Sequence, residues 1–162
     1  MARGTMTRNP KGVTRVWRVV SPRWVESAFD GEGARRYGAR WNTPGTGMVY
    51  TASHLSLAVL EILVHAEDPK SLGSFMAIPA DVPGDLIEML EPLPVGWRDA
   101  NSSSAKLAGD TWQRGRQSFA LRVPSVILPE EFNVLINPEH PEFKKLVIGE
   151  ARILEIDARL KR

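Results

Sequence analysis

The sequence predicts a single domain that combines β-strands and α-helices. Residues 13–20 (VTRVWRVV) alternate in polarity and are rich in β-branched side chains, which favours a strand. Residues 55–64 form a dense apolar run that follows Ser53, a preferred N-cap residue, which favours a helix. The 162 residues contain no internal repeat and no low-complexity segment. A chain of this length ordinarily folds as one domain with a sizeable core.

Composition narrows the class of protein. Hydrophobic residues make up 43% and charged residues 25% of the chain, as in ordinary globular domains. The net charge of +2 is too small to indicate a nucleic-acid partner by itself. The absence of cysteine excludes disulfides, thiolate chemistry and Cys-ligated zinc, and it suits the cytoplasm, where we expect the protein to act.

The sequence predicts neither a membrane span nor a signal peptide. No apolar run approaches the roughly 20 residues needed to span a bilayer, so we expect no membrane segment. Residues 1–12 are basic and lack the apolar core of a signal peptide. We therefore expect a disordered basic lead-in over residues 1–12 and one domain over residues 13–162.

The stretch after the first strand predicts a hairpin. Residues 39–42 and 48–51 contain strand-type side chains, and residues 43–47 (TPGTG) hold the Pro and Gly of a five-residue loop. Pairing across this loop places Arg40 directly opposite Tyr50, with Cβ atoms roughly 5 Å apart.

The apolar helix that follows carries one acid. It is apolar nearly all round, so we expect it in the core. A carboxylate there, Glu61, is costly to bury unless a cation or donor meets it. The nearest candidates along the chain are Arg40 and Tyr50, so the three side chains are expected to converge. A buried Arg–Glu pair can equally be structural, and Tyr50 can be a core residue.

The second half of the chain alternates further elements. We predict strands at 74–80, 119–123 and 153–156 and a helix at 106–116 with Trp112 on its inner side. Ser125 follows Pro124 at a strand end, where an isolated serine is ordinarily structural. Asn133, Asn137 and His140 are placed in a proline-flanked loop that their side chains hold by hydrogen bonds to backbone.

The residue inventory excludes several chemistries. The three histidines have no ligand spacing with carboxylates, so no metal site is expected. There is no G-x-S-x-G motif for a serine hydrolase. His65 lies one turn after Glu61 and is expected to pair with it or to face solvent. An arginine, a tyrosine and a glutamate remain, which suit an anionic ligand with a positively charged reacting centre.

Two separated motifs resemble a known family. The first contains GARRYGARWN, then VY ten residues after Arg40, then LEILVH; the second contains VPS and NVLINPEHP. Together they resemble the RES-domain toxins of bacterial toxin–antitoxin pairs, which are named for an arginine, a glutamate and a serine. Arg40, Glu61 and Ser125 match these three residues. Arg18 stands where the family usually has an arginine after an aromatic residue, and Ala39 replaces a frequent glycine.

The resemblance implies a fold, a substrate and residue roles. The fold would be α+β and ADP-ribosyltransferase-like, with split β-sheets and flanking helices in a single domain, and the substrate would be NAD. Arg40 would anchor the phosphate or ribose, with Arg18 as a further substrate-binding residue. Tyr50 would pack on nicotinamide. Glu61 would bind ribose hydroxyls and stabilise an oxocarbenium-like transition state, and Ser125 would hydrogen-bond the nicotinamide or its ribose.

The acceptor and the partner follow from the same resemblance. Cleavage of NAD with water or inorganic phosphate would deplete the cofactor and arrest growth, whereas transfer to a side chain would make the protein an ADP-ribosyltransferase. A cognate Xre-family helix-turn-helix antitoxin would block the active site, and nucleic acid would be bound only through it.

Two interpretations from other classes stay open. One is a ribonuclease-type toxin with a basic face. The cations available for such a face are Arg35, Arg36, Arg114, Arg116, Arg159, Lys161 and Arg162. The other is a non-catalytic binding module that retains Arg40 and Glu61 as a structural pair.

Overall fold

The structure is a computed structural model that describes residues 12–68 and 73–161. Most of the predicted disordered lead-in, residues 1–11, lies outside the described residues, as does Arg162. The strands of the described part are β1 Val13–Val20, β2 Val49–Ala52, β3 Phe75–Pro83, β4 Ile87–Met89, β5 Ala120–Pro124, β6 Phe132–Ile136, β7 Val147–Ile148 and β8 Arg152–Leu154. Its α-helices are α1 Glu32–Tyr37, α2 Leu55–His65 and α3 Ser103–Gly115.

The strands form one mixed sheet with a weak central connection. Their order is β4-β5-β6-β2-β1-β3-β7, with β8 also paired to β3, and only β4 and β5 are parallel among the described pairs. β1 pairs with β3 along its whole length. Against β2, its register consists of the single pair Trp17↔Ala52. The sheet therefore divides into two halves that meet at one point, which confirms the predicted α+β fold.

Alternation along the strands builds a core on each face of the sheet. Val134 and Ile136 of β6 pack with Val16, Val49 and Phe119 on one face. On the other face, Leu135 packs with Trp41, Met48, Leu121 and Trp112. Trp112 is 3% exposed, and its indole Nε1 donates to Ser118 Oγ at 2.8 Å. This confirms the prediction that Trp112 lies on the inner side of α3. None of the described helices is long and apolar enough to cross a membrane.

The predicted hairpin before β2 is wrong. Ala39 and Asn42 form an isolated bridge across a tight turn, and β2 pairs with β1 and β6 instead of with this segment. The reason lies in Asn42, which is fully buried. Its amide Nδ2 donates to the carbonyls of Ala34, Thr43 and Thr46 at 2.9–3.1 Å. Side-chain hydrogen bonds to the backbone thus replace a strand ladder here.

The helix that carries Glu61 is not a core helix. Of its residues only Leu57 and Ala58 are buried, and Val64 is 61% exposed. α2 begins at Leu55 with His54 as its N-cap, while Ser53 donates its hydroxyl to the Phe132 carbonyl at 2.7 Å. The apolar composition of α2 suggested complete burial, but the helix packs with one side against the sheet. Its other side lies at the rim of the molecule.

The remaining predicted elements are found with shifted ends. The helix predicted at 106–116 is α3, and the strands predicted at 74–80, 119–123 and 153–156 correspond to β3, β5 and β8. Asn133 was assigned to a loop, which is wrong, because it lies in β6. Asn137 and His140 do hold the following turn: Asn137 Oδ1 accepts from Glu139 N, and His140 Nδ1 accepts from Glu142 N.

A close backbone approach fixes α3 against the turn that contains Arg40. A Cβ built on Gly109 would lie 1.8 Å from the carbonyl oxygen of Trp41, so no other residue fits there. One residue on, the Asp110 carboxylate accepts from Thr43 N at 3.0 Å and from Thr43 Oγ1 at 2.6 Å. Two adjacent residues of α3 therefore position the turn that precedes β2.

We predict that Gly109→Ala destabilises the protein severely. The new methyl group would overlap backbone, so the expected loss lies at or beyond the top of the roughly 1–3 kcal/mol that overpacking typically costs. The matched control is Gly33→Ala in α1, where a Cβ meets nothing within 4 Å and a gain of about 0.5–1 kcal/mol is expected. Urea unfolding of both variants provides the measurement, and equal stability of Gly109→Ala and wild type would refute the close approach.

Candidate functional site

The carboxylate of Glu61 receives hydrogen bonds from two elements of the sheet. Ser125 Oγ donates to Glu61 Oε1 at 3.1 Å, and Asn133 Nδ2 donates to the same oxygen at 2.9 Å. Ser125 follows the end of β5 and Asn133 lies in the adjacent strand β6. Hydrogen bonds to a charged acceptor are stronger than neutral ones. Helix α2 and two strands therefore fix this carboxylate in one orientation.

The surroundings of Ser125 direct its proton toward Glu61. The side chain is fully buried, and its Oγ accepts from the amides of Ile127 at 3.1 Å and Leu128 at 3.3 Å. With its acceptor capacity used by this turn, the hydroxyl has its one proton to donate to Glu61. The structure thus places Ser125 behind the carboxylate, where it touches Glu61 rather than the open cavity.

The second carboxylate oxygen of Glu61 faces a different environment. His65 Nε2 lies 3.9 Å from Oε2, beyond hydrogen-bond distance, and the His65 side chain is 80% exposed. The Glu61 side chain itself is 27% exposed. One oxygen is therefore held by the protein while the carboxylate remains accessible from the cavity.

Arg18 and Tyr50 meet at the seam of the sheet. Pairing between β1 and β2 stops at Trp17↔Ala52, and one residue further Arg18 Nη1 donates to the Tyr50 carbonyl at 2.7 Å. A side chain thus satisfies a strand carbonyl at the gap between the two half-sheets. Burial lowers the pKa of the Arg18 guanidinium from its ordinary value, although the nearby Asp30 carboxylate acts in the opposite direction.

The phenol of Tyr50 belongs to the structure of the turn. Its hydroxyl donates to Asn42 Oδ1 at 2.7 Å and accepts from Trp41 N at 3.1 Å. Burial is the main reason why the pKa of Tyr50 is raised. The hydroxyl is thus committed to the Trp41–Asn42 turn, while Tyr50 also lines the cavities described below.

Arg40 does not make the contacts that the hairpin predicted. Its Nη1 donates to the carbonyls of Trp97 at 3.0 Å and Asp99 at 2.9 Å. The expected ion pair between Arg40 and Glu61 is therefore wrong, since the Glu61 oxygen is taken by Ser125 and Asn133. The cause is the tight turn, which points Arg40 toward the loop that precedes α3.

Two adjoining cavities share Glu61 and Tyr50. One of about 330 Å³ is also lined by Arg18 and Val19, and we call it the seam cavity. The other, of about 520 Å³, is also lined by Arg40 and Lys106, and we call it the basic cavity. The structure thus brings Arg18, Arg40, Tyr50 and Glu61 to one place, with an arginine in each cavity. Within the described ranges no group of histidine and carboxylate side chains could hold a metal ion.

Asn133 is the site residue that sequence reasoning missed. The prolines that follow it, Pro138 and Pro141, suggested a loop. The available signal was its place at the start of the run FNVLI, where a lone amide in an apolar strand needs a partner. That partner, Glu61, lies 72 residues away in the chain.

The arrangement suits one kind of chemistry. A fixed carboxylate beside a cavity stabilises positive charge that develops on a bound ligand. Arginines on both sides of it supply planar donors for phosphate groups. The site can therefore bind an anionic ligand and stabilise a cation formed within it.

The sequence is similar to known proteins over most of its length. A sequence model of the RES domain matches residues 15–157. "Toxin Res" of Photorhabdus laumondii subsp. laumondii is 38% identical over 149 residues, which cover 90% of this chain and 96% of the relative. The "Prs ADP-ribosylating toxin" of Sphingobium sp. is 35% identical over 157 residues, which cover 92% of this chain and 98% of the relative.

A solved structure shares the fold. In the crystal structure of the M. tuberculosis MbcT–MbcA toxin–antitoxin complex, a chain superposes with a TM-score of 0.68 at 17% sequence identity. The alignment covers 91% of this chain and 87% of that chain. At this identity the likeness is one of fold.

We predict that Tyr50→Phe destabilises the protein by about 1–3 kcal/mol at pH 7, because Trp41 N–H and Asn42 Oδ1 lose their partner. The pKa of Tyr50 is raised on folding above its ordinary value of 10. The stabilisation that the protonated Tyr50 hydroxyl gives to the folded state is therefore complete below pH 10 and is lost as the pH rises further. The drop in unfolding free energy between pH 7 and higher pH should be smaller in Tyr50→Phe than in wild type. Tyr37→Phe, at a side chain that is 81% exposed, is the control. Identical urea curves for both variants would refute the role of the Tyr50 hydroxyl.

Proposed function

This chain belongs to the RES domain family, and we propose that it is the toxin of a toxin–antitoxin pair that cleaves NAD at the nicotinamide–ribose bond. The family match spans residues 15–157, and the relatives named above are toxins. The observation that carries the chemistry is the Glu61 carboxylate, held by Ser125 and Asn133 between two cavities that each contain an arginine.

The chemistry of NAD fits such a site. Its nicotinamide ring is already cationic, so when the C–N glycosidic bond breaks, the electron pair neutralises the leaving ring and no general acid is required. Positive charge then develops on the ribose, as in glycoside hydrolysis. A carboxylate fixed beside the ribose stabilises that charge without reorganising during the reaction. Glu61 is proposed for this role.

The other residues are proposed to bind and orient NAD. Arg40 and Arg18 offer guanidinium groups for the phosphates and ribose, one in each cavity. The Tyr50 ring is proposed to pack on nicotinamide, since its hydroxyl is occupied by the turn. Ser125 is buried and bound to Glu61, so we propose that it acts through the orientation of this carboxylate.

Protein ADP-ribosylation is the second candidate function. The relative from Sphingobium sp. named as an ADP-ribosylating toxin favours it, because it is 35% identical over 92% of this chain. Both candidates require the same bond cleavage and differ in the acceptor, which is water or inorganic phosphate in one case and a protein side chain in the other. Analysis of the ADP-ribose product separates them: free ADP-ribose, its 1-phosphate, or label attached to protein.

An antitoxin is proposed as the partner. The structural relative was solved as a toxin–antitoxin complex. We propose that a cognate Xre-type helix-turn-helix protein covers this site and that one of its carboxylates forms an ion pair with Arg40 in the basic cavity. Such a contact would compete with NAD for this arginine.

A ribonuclease activity has less support from the structure. Three of the cations that it would need are paired with carboxylates. These pairs are Arg35 with Glu32, Arg114 with Asp110 and Arg159 with Asp157. Incubation with RNA nevertheless belongs in the assay, since RNA fragments in place of nicotinamide would favour this alternative.

We predict that Glu61→Gln strongly lowers the rate of nicotinamide release while the fold and NAD affinity persist. The amide keeps the shape of the side chain but removes the charge that stabilises the transition state, a loss typically on the order of a hundredfold or more in kcat. Chromatographic detection of nicotinamide gives the rate, and calorimetry with NAD gives the affinity.

The matched control is Glu26→Gln, an exposed glutamate outside the site, which should retain wild-type turnover. Wild-type turnover by Glu61→Gln would remove Glu61 from the mechanism. Absence of nicotinamide release by the wild-type protein would refute the proposed reaction.

A further inference from the structure

A third cavity adjoins the seam cavity. It has a volume of about 500 Å³ and shares Arg18, Val19 and Ile62 with the seam cavity. Its wall includes the exposed aromatic side chains of Trp24 and Tyr37. We call it the aromatic cavity. Arg18 therefore stands at the junction between the space beside Glu61 and a second space of comparable size.

Among the described residues Arg18 forms no salt bridge at this junction, and the Asp30 carboxylate acts on it only from beyond salt-bridge distance. Its Nη1 is bound to a neutral carbonyl, that of Tyr50. Its Nε is buried and has no hydrogen-bond partner among the described residues. No carboxylate within the described part of the chain forms a salt bridge with it. A guanidinium in this position favours an anionic ligand, because a bound anion supplies the missing compensation.

The aromatic and basic cavities differ in charge. The aromatic cavity is lined by two cations and two carboxylates, which balance: Arg18, Arg36, Asp30 and Glu32. The basic cavity has Arg40 and Lys106 with Glu61 as its acid. A neutral group suits the balanced cavity better, and an additional anion suits the basic cavity better.

The walls of the aromatic cavity match a nucleoside. Trp24 is 51% exposed. The Arg23 guanidinium lies over one face of its ring, 5.1 Å from the centroid, and Arg23 does not line the cavity. The other face is therefore available for stacking, and base–aromatic stacking is worth about 1–3 kcal/mol per base. Carboxylates such as Asp30, which is exposed at the wall, can accept from ribose hydroxyls, as acidic residues do in other dinucleotide sites. A purine base could therefore stack on the Trp24 ring, and its ribose could donate to a carboxylate of the wall.

We propose that the adenosine half of NAD lies in the aromatic cavity, with the pyrophosphate at Arg18 and the nicotinamide riboside in the seam cavity beside Glu61. This orientation rests on the proposed function, in which NAD is the substrate. It leaves the part of the basic cavity beyond Arg40 for the acceptor. The reverse orientation would place adenosine in the basic cavity instead.

The orientation is tested with NAD and nicotinamide mononucleotide as parallel substrates. The mononucleotide has the same scissile bond but lacks the adenosine end. Trp24→Ala should raise KM for NAD about 5- to 150-fold, the factor that corresponds to the loss of one stacked base, and should leave the kinetics with the mononucleotide unchanged. Trp24→Phe, which keeps a flat ring, should restore most of the affinity for NAD.

The control in the basic cavity is Lys106→Ala. It should leave the preference for NAD over the mononucleotide at the wild-type ratio. If Lys106→Ala removes this preference and Trp24→Ala does not, adenosine lies in the basic cavity and the proposal is overturned.

A binding experiment separates this proposal from the reaction itself. Calorimetric titration with AMP requires no cleavage, and Trp24→Ala should weaken AMP binding by the same factor as it raises KM for NAD. Equal AMP affinity in wild type and Trp24→Ala, or no AMP binding to wild type, would overturn the adenosine site. Nicotinamide release that fails while AMP still binds through Trp24 would instead refute the proposed reaction and retain the nucleoside site.

Discussion

The proposed site depends on two hydrogen bonds to one oxygen, from Ser125 at 3.1 Å and from Asn133 at 2.9 Å to Glu61 Oε1. Without them, the glutamate would lie on a half-exposed helix at the rim of the molecule and would sample several rotamers. The donors come from a strand end and an adjacent strand, which are rigid parts of the sheet. Because both donors act on the same oxygen, the carboxylate orientation follows from the packing of α2 against β5 and β6.

The seam of the sheet provides the space around this carboxylate. β1 and β2 share one residue pair, and beyond it the seam cavity is lined by Arg18 from β1 and Tyr50 from β2. An uninterrupted ladder would fill this gap with backbone hydrogen bonds. Here the Arg18 guanidinium donates to the carbonyl of Tyr50 instead. The interruption between β1 and β2 therefore places a cationic side chain in the wall of the seam cavity. Gly109 and Asp110 of α3 hold the turn that places Arg40 in the wall of the basic cavity.

The parts of this structure that sequence could predict are those set by local pattern. Strand β1 and helix α3, with Trp112 on its inner side, follow from periodicity, whereas the α+β class follows from the family resemblance. The contacts of Glu61 do not, because Ser125 and Asn133 lie 64 and 72 residues away and only the sheet brings them close. The hairpin at Arg40 failed because the buried amide of Asn42 satisfies three carbonyls, a tertiary arrangement that strand propensity does not contain.

The most direct test of this account is the kcat of Asn133→Ala for nicotinamide release from NAD. If Asn133 orients the carboxylate, kcat should fall about 10- to 150-fold, the factor that corresponds to the roughly 1.5–3 kcal/mol of a hydrogen bond to a charged group, with KM for NAD nearly unchanged. Asn137→Ala, which removes a buried amide bound to Gln113 O, is the matched control: it should lower thermal stability and leave kcat of the folded protein intact. A folded Asn133→Ala protein with wild-type kcat would contradict the account.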